Sequence, residues 1–443
     1  MFNSYLRIRI RIGIKGCLKM AEGKTKISFK IETFLITVYL AGVYFFPDRI
    51  KIVTAAFVLS FIMTELIKNR RIVLGMTGVI WLSYIILALL SYAWGSGVFD
   101  DILELIISFI IALMVSIFDF SEKERKDQIK GLIVLGFIVV LGCALQLLFP
   151  NTLRKINSFH LTSEKYNYFD EFYRNGKMVG FSFQTAITGF YLTLLFGIIF
   201  IKFICSARNN HILKNTFYFI SLIGIYVLVF LTAKRIFIIL IPCAVSILLC
   251  VLLKKHIGKI VICFSVMMAI MMLLLYKTDF GKALLIRSSG ESWSTGRAQI
   301  NEQMIELFWR HPLLGNGVCS TLVVLTHVQN AHNIYLQILS ESGILGFILL
   351  ITAFIIEIVK AVCVLSYAIK SKQNGEKILA GISLFSQIIF LGWGFTGNPL
   401  YDVYPFFVYM LSIGCVNSIR KKQKIKKGIS YGSWNYHILS QKQ

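Results

Sequence analysis

FYFISLIGIYVLVFLTAKRIFIILIPCAVSILLCVLL, residues 217–253, sets the fold class of this chain. It contains two apolar runs, 217–233 and 236–253, with only Lys234 and Arg235 between them. Each run approaches the roughly 20 apolar residues that a helix needs to cross a bilayer. Each is apolar around its whole circumference, as a lipid-embedded helix is. Strands of a membrane barrel are about 10 residues long and alternate in polarity, and these runs do neither. The pair reads as a helical hairpin inside a membrane.

Ten more segments have the same character: 33–46, 50–67, 72–94, 102–118, 130–149, 186–203, 260–276, 343–369, 378–396 and 405–418. The first and last are short, and 343–369 is long enough to tilt or to include an interfacial part. The composition agrees. Of 443 residues 56% are hydrophobic and 15% charged, with a mean hydropathy of +0.72. An average chain carries about 25% charged residues, so soluble enzymes, nucleic-acid binders and disulfide-built secreted domains are poor starting readings. The expected fold class is an all-α integral membrane protein of about 12 transmembrane helices.

The net charge of +24 is the next constraint. With the N-terminus in the cytoplasm, 32 of the 46 Lys and Arg fall on the inner side and 14 on the outer. Every short inner loop is then basic, as the positive-inside rule requires, and both termini are cytoplasmic. The charge excess is a topology signal and a contact with the cytoplasmic leaflet, and no nucleic-acid partner is implied. The expected organisation is a basic N-terminal segment (1–32), a polytopic domain (33–418) and a basic tail (419–443). The basic N-terminus lacks a small-residue cleavage site, so no signal peptide is expected. Met20 is as good a translation start as Met1. The nine cysteines form no CxxC or metal-like pairs and read as apolar packing residues.

Two outer segments are long, 150–185 and 277–331, the second lying between spans 9 and 10. In the first, Tyr166, Tyr168, Phe169, Phe172 and Tyr173 read equally as sugar-stacking rings or as ordinary interfacial aromatics. In the second, Ser294 or Thr295 caps a helix running to Arg310, with Ile300, Met304, Leu307 and Phe308 at helical spacing. It either lies on the outer membrane surface or caps the spans. His311-Pro312 ends it and Gly315-Asn316-Gly317 makes a turn. Asn330 then caps a new helix, which puts His332 in its first turn. The field at a helix N-terminus favours a neutral imidazole able to accept a proton near neutral pH. Asn333, Gln337 and Glu341 follow as one polar stripe, and Gly343 and Gly346 permit a bend or close packing.

These stretches resemble the O-antigen ligase and Wzy-type polysaccharide polymerase superfamily. His332-Asn333, nine residues, then Gly343 and Gly346 match its His-Asn…Gly-x-x-Gly spacing. STGRAQINEQMIELFWRHPLLGNG (294–317) is similar to its Gly-Arg helix ending in His-Pro and a Gly-x-Gly turn. LTAKR (231–235) is similar to its Leu-Thr-x-Ser-Arg step between spans, with Lys234 in place of Ser.

The resemblance implies a metal-independent, membrane-embedded glycosyltransferase without cofactor, at the outer face of the bacterial cytoplasmic membrane. Its donor would be an undecaprenyl-diphosphate-linked oligosaccharide. By the same analogy His332 is the general base, Arg235 and Arg297 bind the diphosphate, and Asn333, Tyr335, Gln337 and Glu341 contact sugar or support the site. Arginine suits a leaving diphosphate because it is permanently charged and makes bidentate phosphate contacts. Arg287 and Arg310 read mainly as solvated or headgroup-facing. Beyond substrate and membrane lipids, a flippase and a chain-length regulator are expected partners.

The expected function is a polymerase that joins repeat units for an O-antigen, capsule or exopolysaccharide. Ligase-type transfer to another acceptor is one alternative. A lipid-linked-oligosaccharide transporter is another, although few ionisable residues lie mid-span. Glu357 is the main exception, and Glu357–Lys360 reads as a local ion pair near the inner end of a long helix.

Overall fold

The computed structural model describes residues 36–42, 48–69, 72–206, 212–253, 295–324 and 332–426, with isolated positions between 257 and 277. Nearly all of the expected span at 260–276 and most of the first half of the 277–331 segment lie outside the described residues. Thirteen helices of at least 11 residues carry the described fold, beside the single turn Thr321–Val324: α1 (Asp48–Asn69), α2 (Met76–Leu90), α3 (Phe99–Ile117), α4 (Glu122–Leu148), α5 (Pro150–His160), α6 (Ser163–Arg174), α7 (Thr185–Ser206), α8 (Ile212–Leu231), α9 (Arg235–Leu252), α10 (Thr295–Arg310), α11 (Ile334–Lys370), α12 (Asn374–Trp393) and α13 (Val403–Lys426). The only β pairing among the described residues is one isolated bridge, Ile72 to Phe118.

Among the described residues seven helices are long and apolar enough to cross a bilayer: α2 with the short turn after it, α4, α7, α8, α9, α11 and α12. The expected segments 50–67, 102–118 and 405–418 are helical as well, as α1, α3 and α13. The protein is therefore an all-α, multi-pass membrane protein. The lipid-facing surface is apolar, with Phe137, Leu141, Ile220, Ile348 and Ile355 all about half exposed. Inside, two aromatic and aliphatic clusters fill the bundle, one centred on α4, α7, α9 and α12, the other on Trp81, Phe109, Phe406 and Tyr409.

Three features depart from the sequence reading. The 150–185 segment is no free loop but two short helices and a tight turn, with Phe169 fully buried between the rings of Tyr166 and Tyr173 at 5.6 and 5.8 Å. Of the five aromatics from Tyr166 to Tyr173, Tyr168 is the exposed one, at about half of its surface. Glu357–Lys360 is more than a local pair: the 2.7 Å ion pair is buried, Lys360 also donates to Thr77 of α2 and Asn417 of α13, and Glu357 accepts from Thr77. It ties three helices together. The third departure is a break in α11. Gly343 adopts φ 61° and ψ −168°, which divides the element into an end segment, 334–342, and a spanning helix, 344–370.

Candidate active site

The break at Gly343 explains two of the sequence motifs together. A break in a helix strands backbone groups that must find other partners. Here the His311–Gly317 turn supplies them. Asn316 N donates to Ser340 O (3.0 Å) and Gly317 N to Glu341 O (2.9 Å). Ile344 N donates to Pro312 O (2.9 Å) and Leu345 N to Leu313 O (3.3 Å). The Asn316 amide adds bonds to Leu307 O and Ser340 O at 2.6 and 2.9 Å, which fasten the end of α10 to the same place. Two glycines face each other across this seam. A Cβ on Gly343 would stand 2.4 Å from Leu313 O, and one on Gly315 (φ 73°) would stand 2.3 Å from Glu341 O. The turn continues onto the α2–α3 connection, where Val318 N donates to Ser91 Oγ at 3.0 Å and Ser96 N to Asn316 O at 3.1 Å.

Below the seam lies a buried polar network. Glu341 is fully buried and accepts from Thr321 Oγ1 (2.5 Å), Tyr401 OH (2.5 Å) and Gln337 Nε2 (3.0 Å). The Asn398 amide donates to Gln337 Oε1 at 2.8 Å, which draws in the α12–α13 turn. Burial, and after it the neighbouring Glu341 carboxylate, pushes the Tyr401 hydroxyl well above its ordinary pKa and keeps it a donor. Burial likewise raises the Cys319 thiol, so that side chain is neutral packing and no thiolate. Gln337 and Glu341 are thus inside the protein, engaged with one another.

The start of α11 is fixed from the other side. Asn333, not Asn330, is the N-cap: its side chain accepts from Tyr335 N and Leu336 N at 3.0 and 3.3 Å. Asn330 lies outside the described residues. His332 therefore precedes the helix and does not sit in its first turn, because the shorter reach from Asn333 satisfies the first free N–H groups. Ile334 N donates to Gly394 O (2.9 Å), Tyr335 OH donates to Leu391 O (2.7 Å), and the Tyr335 ring lies 4.5 Å from that of Phe395.

His332 is held exposed at a small cleft of about 80 Å³, lined also by Ile300 and Asn301 of α10 and by Phe395 and Thr396 of the α12–α13 turn. Position 297 is one helical turn before Asn301 on α10, so Arg297 enters at the same helix end; its side chain lies outside the described residues. Arg235 is the first residue of α9, half-buried, after a tight turn in which Ala233 takes φ 57°. That turn accepts Met178 N at Leu231 O (3.0 Å). Two residues into α9, Phe237 packs on Trp393 at 5.3 Å, just ahead of the cleft residues Phe395 and Thr396. The two arginine positions and His332 thus belong to one end of the bundle. Among the described residues no group of three His, Cys, Asp or Glu side chains could hold a metal ion.

Sequence reasoning missed Asn301, Phe395, Thr396, Asn398, Tyr401 and Thr321. The signal was present for four of them: Trp393 to Tyr401 reads WGFTGNPLY, a turn between two spans with aromatic and amide side chains. An exposed imidazole beside amide, hydroxyl and aromatic groups, with cationic positions nearby, can bind a polyhydroxylated substrate and accept its proton.

Residues 217–351 match the family model described as O-antigen ligase. The match encloses Arg235, Arg297, His332 and the whole Gly343 seam. No curated protein matches the chain. The match covers the later part of the membrane bundle, so this region of a multi-pass membrane protein is similar to the O-antigen ligase family.

Proposed function

We propose that this protein is a polysaccharide polymerase of the bacterial cytoplasmic membrane, joining undecaprenyl-diphosphate-linked oligosaccharide repeat units at the outer face. In this reading the acceptor's sugar hydroxyl enters the cleft and His332 takes its proton as the oxygen attacks the anomeric carbon of the donor. The bond from that carbon to the diphosphate breaks, a glycosidic bond forms, and undecaprenyl diphosphate leaves carrying the negative charge. Arg235 and Arg297 meet that charge. Asn301, Phe395 and Thr396 contact sugar, while Asn333, Tyr335, Gln337 and Glu341 hold the cleft in shape. Electrostatics at this end rests on a few placed arginines, since outer Lys and Arg exceed Asp and Glu only by 14 to 13 in the proposed topology.

The observation that carries this reading is the exposure of His332 in a cleft whose walls are fixed by the seam and the buried network. The composition, rich in Ile, Lys and Phe, resembles that of low-GC bacteria and favours a polymerase. Ligase-type transfer is the second reading, favoured by the description of the matching family.

The test is His332→Ala in the native host, with surface polymer length and lipid-linked glycans measured beside protein level. Loss of long chains, with single repeats still reaching the surface, supports the polymerase. Lipid-linked polymer left unattached supports the ligase. Wild-type polymer at normal protein level refutes the assignment of His332.

A further inference from the structure

At the opposite end of the bundle from the cleft of His332 lies a second, larger one of about 320 Å³. It opens between the first turn of α4, the first turn of α12 and the last turns of α13. Arg125, Lys126 and Lys422 line it, together with Glu122, Glu376 and Gln373. The acidic side chains are already engaged: Glu122 by Lys126 and Lys422 at 2.8 and 3.5 Å, and Glu376 by Gln423 at 2.9 Å.

Arg125 is different. Its residue is 3% exposed, Nη1 donates to Phe120 O, and Nε has no partner. No carboxylate among the described residues lies within ion-pair distance of it. A buried guanidinium without a counter-charge is costly, and proteins bury charges paired. The N-terminus of α12, a 20-residue helix, opens at the same cleft through Gly375 and carries no side-chain cap. Its unpaired N–H groups and positive dipole end favour an anion. Donors from Arg125, Lys126, Lys422 and α12 therefore converge on one cleft.

The surroundings indicate where the anion comes from. Lys126 begins an exposed stripe along α4 that continues through Lys130, Val134, Phe137 and Leu141, turning from charged to apolar as the helix enters the bilayer. A ligand with a phosphate at the cleft and an acyl chain along that stripe would satisfy both parts. We propose that this cleft binds the headgroup phosphate of an anionic phospholipid, with Arg125 as its buried counter-charge and Lys126 and Lys422 as its rim. Basic pockets between spanning helices on the cytoplasmic side are suited to such headgroups. The bound phosphate would join α4, α12 and α13, and α12 leads at its other end into the Phe395–Thr396 turn of the active-site cleft.

The test uses the full-length protein in an uncharged detergent, with phosphatidylglycerol, dioleoylglycerol and inorganic phosphate as probes. Thermal midpoint and retained lipid, by native mass spectrometry, are the readouts. Because Arg125 is buried and its replacement can unfold the bundle, the variant is the exposed pair Lys126→Ala/Lys422→Ala. Phosphatidylglycerol is expected to raise the wild-type midpoint saturably with one lipid retained, and the variant to need about tenfold more of it. Equal effects of dioleoylglycerol would overturn the phosphate requirement. A full shift with inorganic phosphate alone would overturn the lipid as source, and an unchanged response of the variant would overturn the site.

Discussion

Gly343→Ala is the substitution on which the seam reasoning stands or fails. At φ 61° and ψ −168° the residue occupies a region open essentially to glycine, and a side chain there costs about 1–3 kcal/mol. The new Cβ would also stand 2.4 Å from Leu313 O and 2.7 Å from Gly315 N. These are backbone atoms, so no side-chain rotation relieves the overlap and the turn itself must move. Moving it strains four backbone hydrogen bonds, each contributing about 0.5–1.5 kcal/mol. A total loss of about 3 kcal/mol or more is expected, confined to the seam and the cleft above it. Amide exchange in detergent should therefore speed up at Gly317, Ile344 and Leu345, while the core of α7 keeps its protection. Polymer length in the host should fall with it. The control is Gly224→Ala on α8, where an added Cβ meets nothing within 4 Å. That change should leave exchange at the seam and polymer length unaltered. Wild-type exchange and polymer in Gly343→Ala would refute the idea that the seam shapes the site.

Three further outcomes are expected. Glu341→Ala strands the Thr321, Tyr401 and Gln337 donors, at about 1–3 kcal/mol for each buried group left unsatisfied; a lower thermal midpoint and shortened polymer are the measurements. Glu357→Ala leaves the Lys360 ammonium buried without its acid, which costs about 3–5 kcal/mol, whereas Glu357→Leu with Lys360→Met should recover most of the melting midpoint. The raised pKa of Tyr401 gives an alkaline signature. Its proton is held more tightly in the folded than in the unfolded protein, so its stabilisation is complete below an unfolded value of about 10 and is lost as pH rises above it. Tyr401→Phe should flatten the fall of the melting midpoint above that pH, and an unchanged slope would count against the buried pairing with Glu341.

The parts of this protein legible in its sequence are those fixed by one-dimensional pattern. Residues 217–253 announce a helical hairpin because two lengths of apolar chain cannot be buried in any other way so close together. The seven long apolar helices follow from the same rule. The positions of Gly343 and Gly315 were legible as glycines, but their purpose was not. Only the fold shows that they face each other, because that depends on a contact between residues 28 apart in sequence, joined through a broken helix.

The site divides in the same way. The membrane fold was readable from apolar run length, whereas His332, Arg235 and Arg297 stood out through the motifs that resemble the ligase and polymerase superfamily, with Arg235 also marked as a charge at the end of a span. The sequence could not reveal that Gln337 and Glu341 point inward to Asn398, Thr321 and Tyr401, or that Asn333 caps α11 in preference to Asn330. Nor could it reveal that Glu357–Lys360 binds α2 and α13, or that Phe395 and Thr396 complete the cleft of His332. Those outcomes were decided by the tertiary structure, because burial makes every polar group find a partner and the partners lie on other helices.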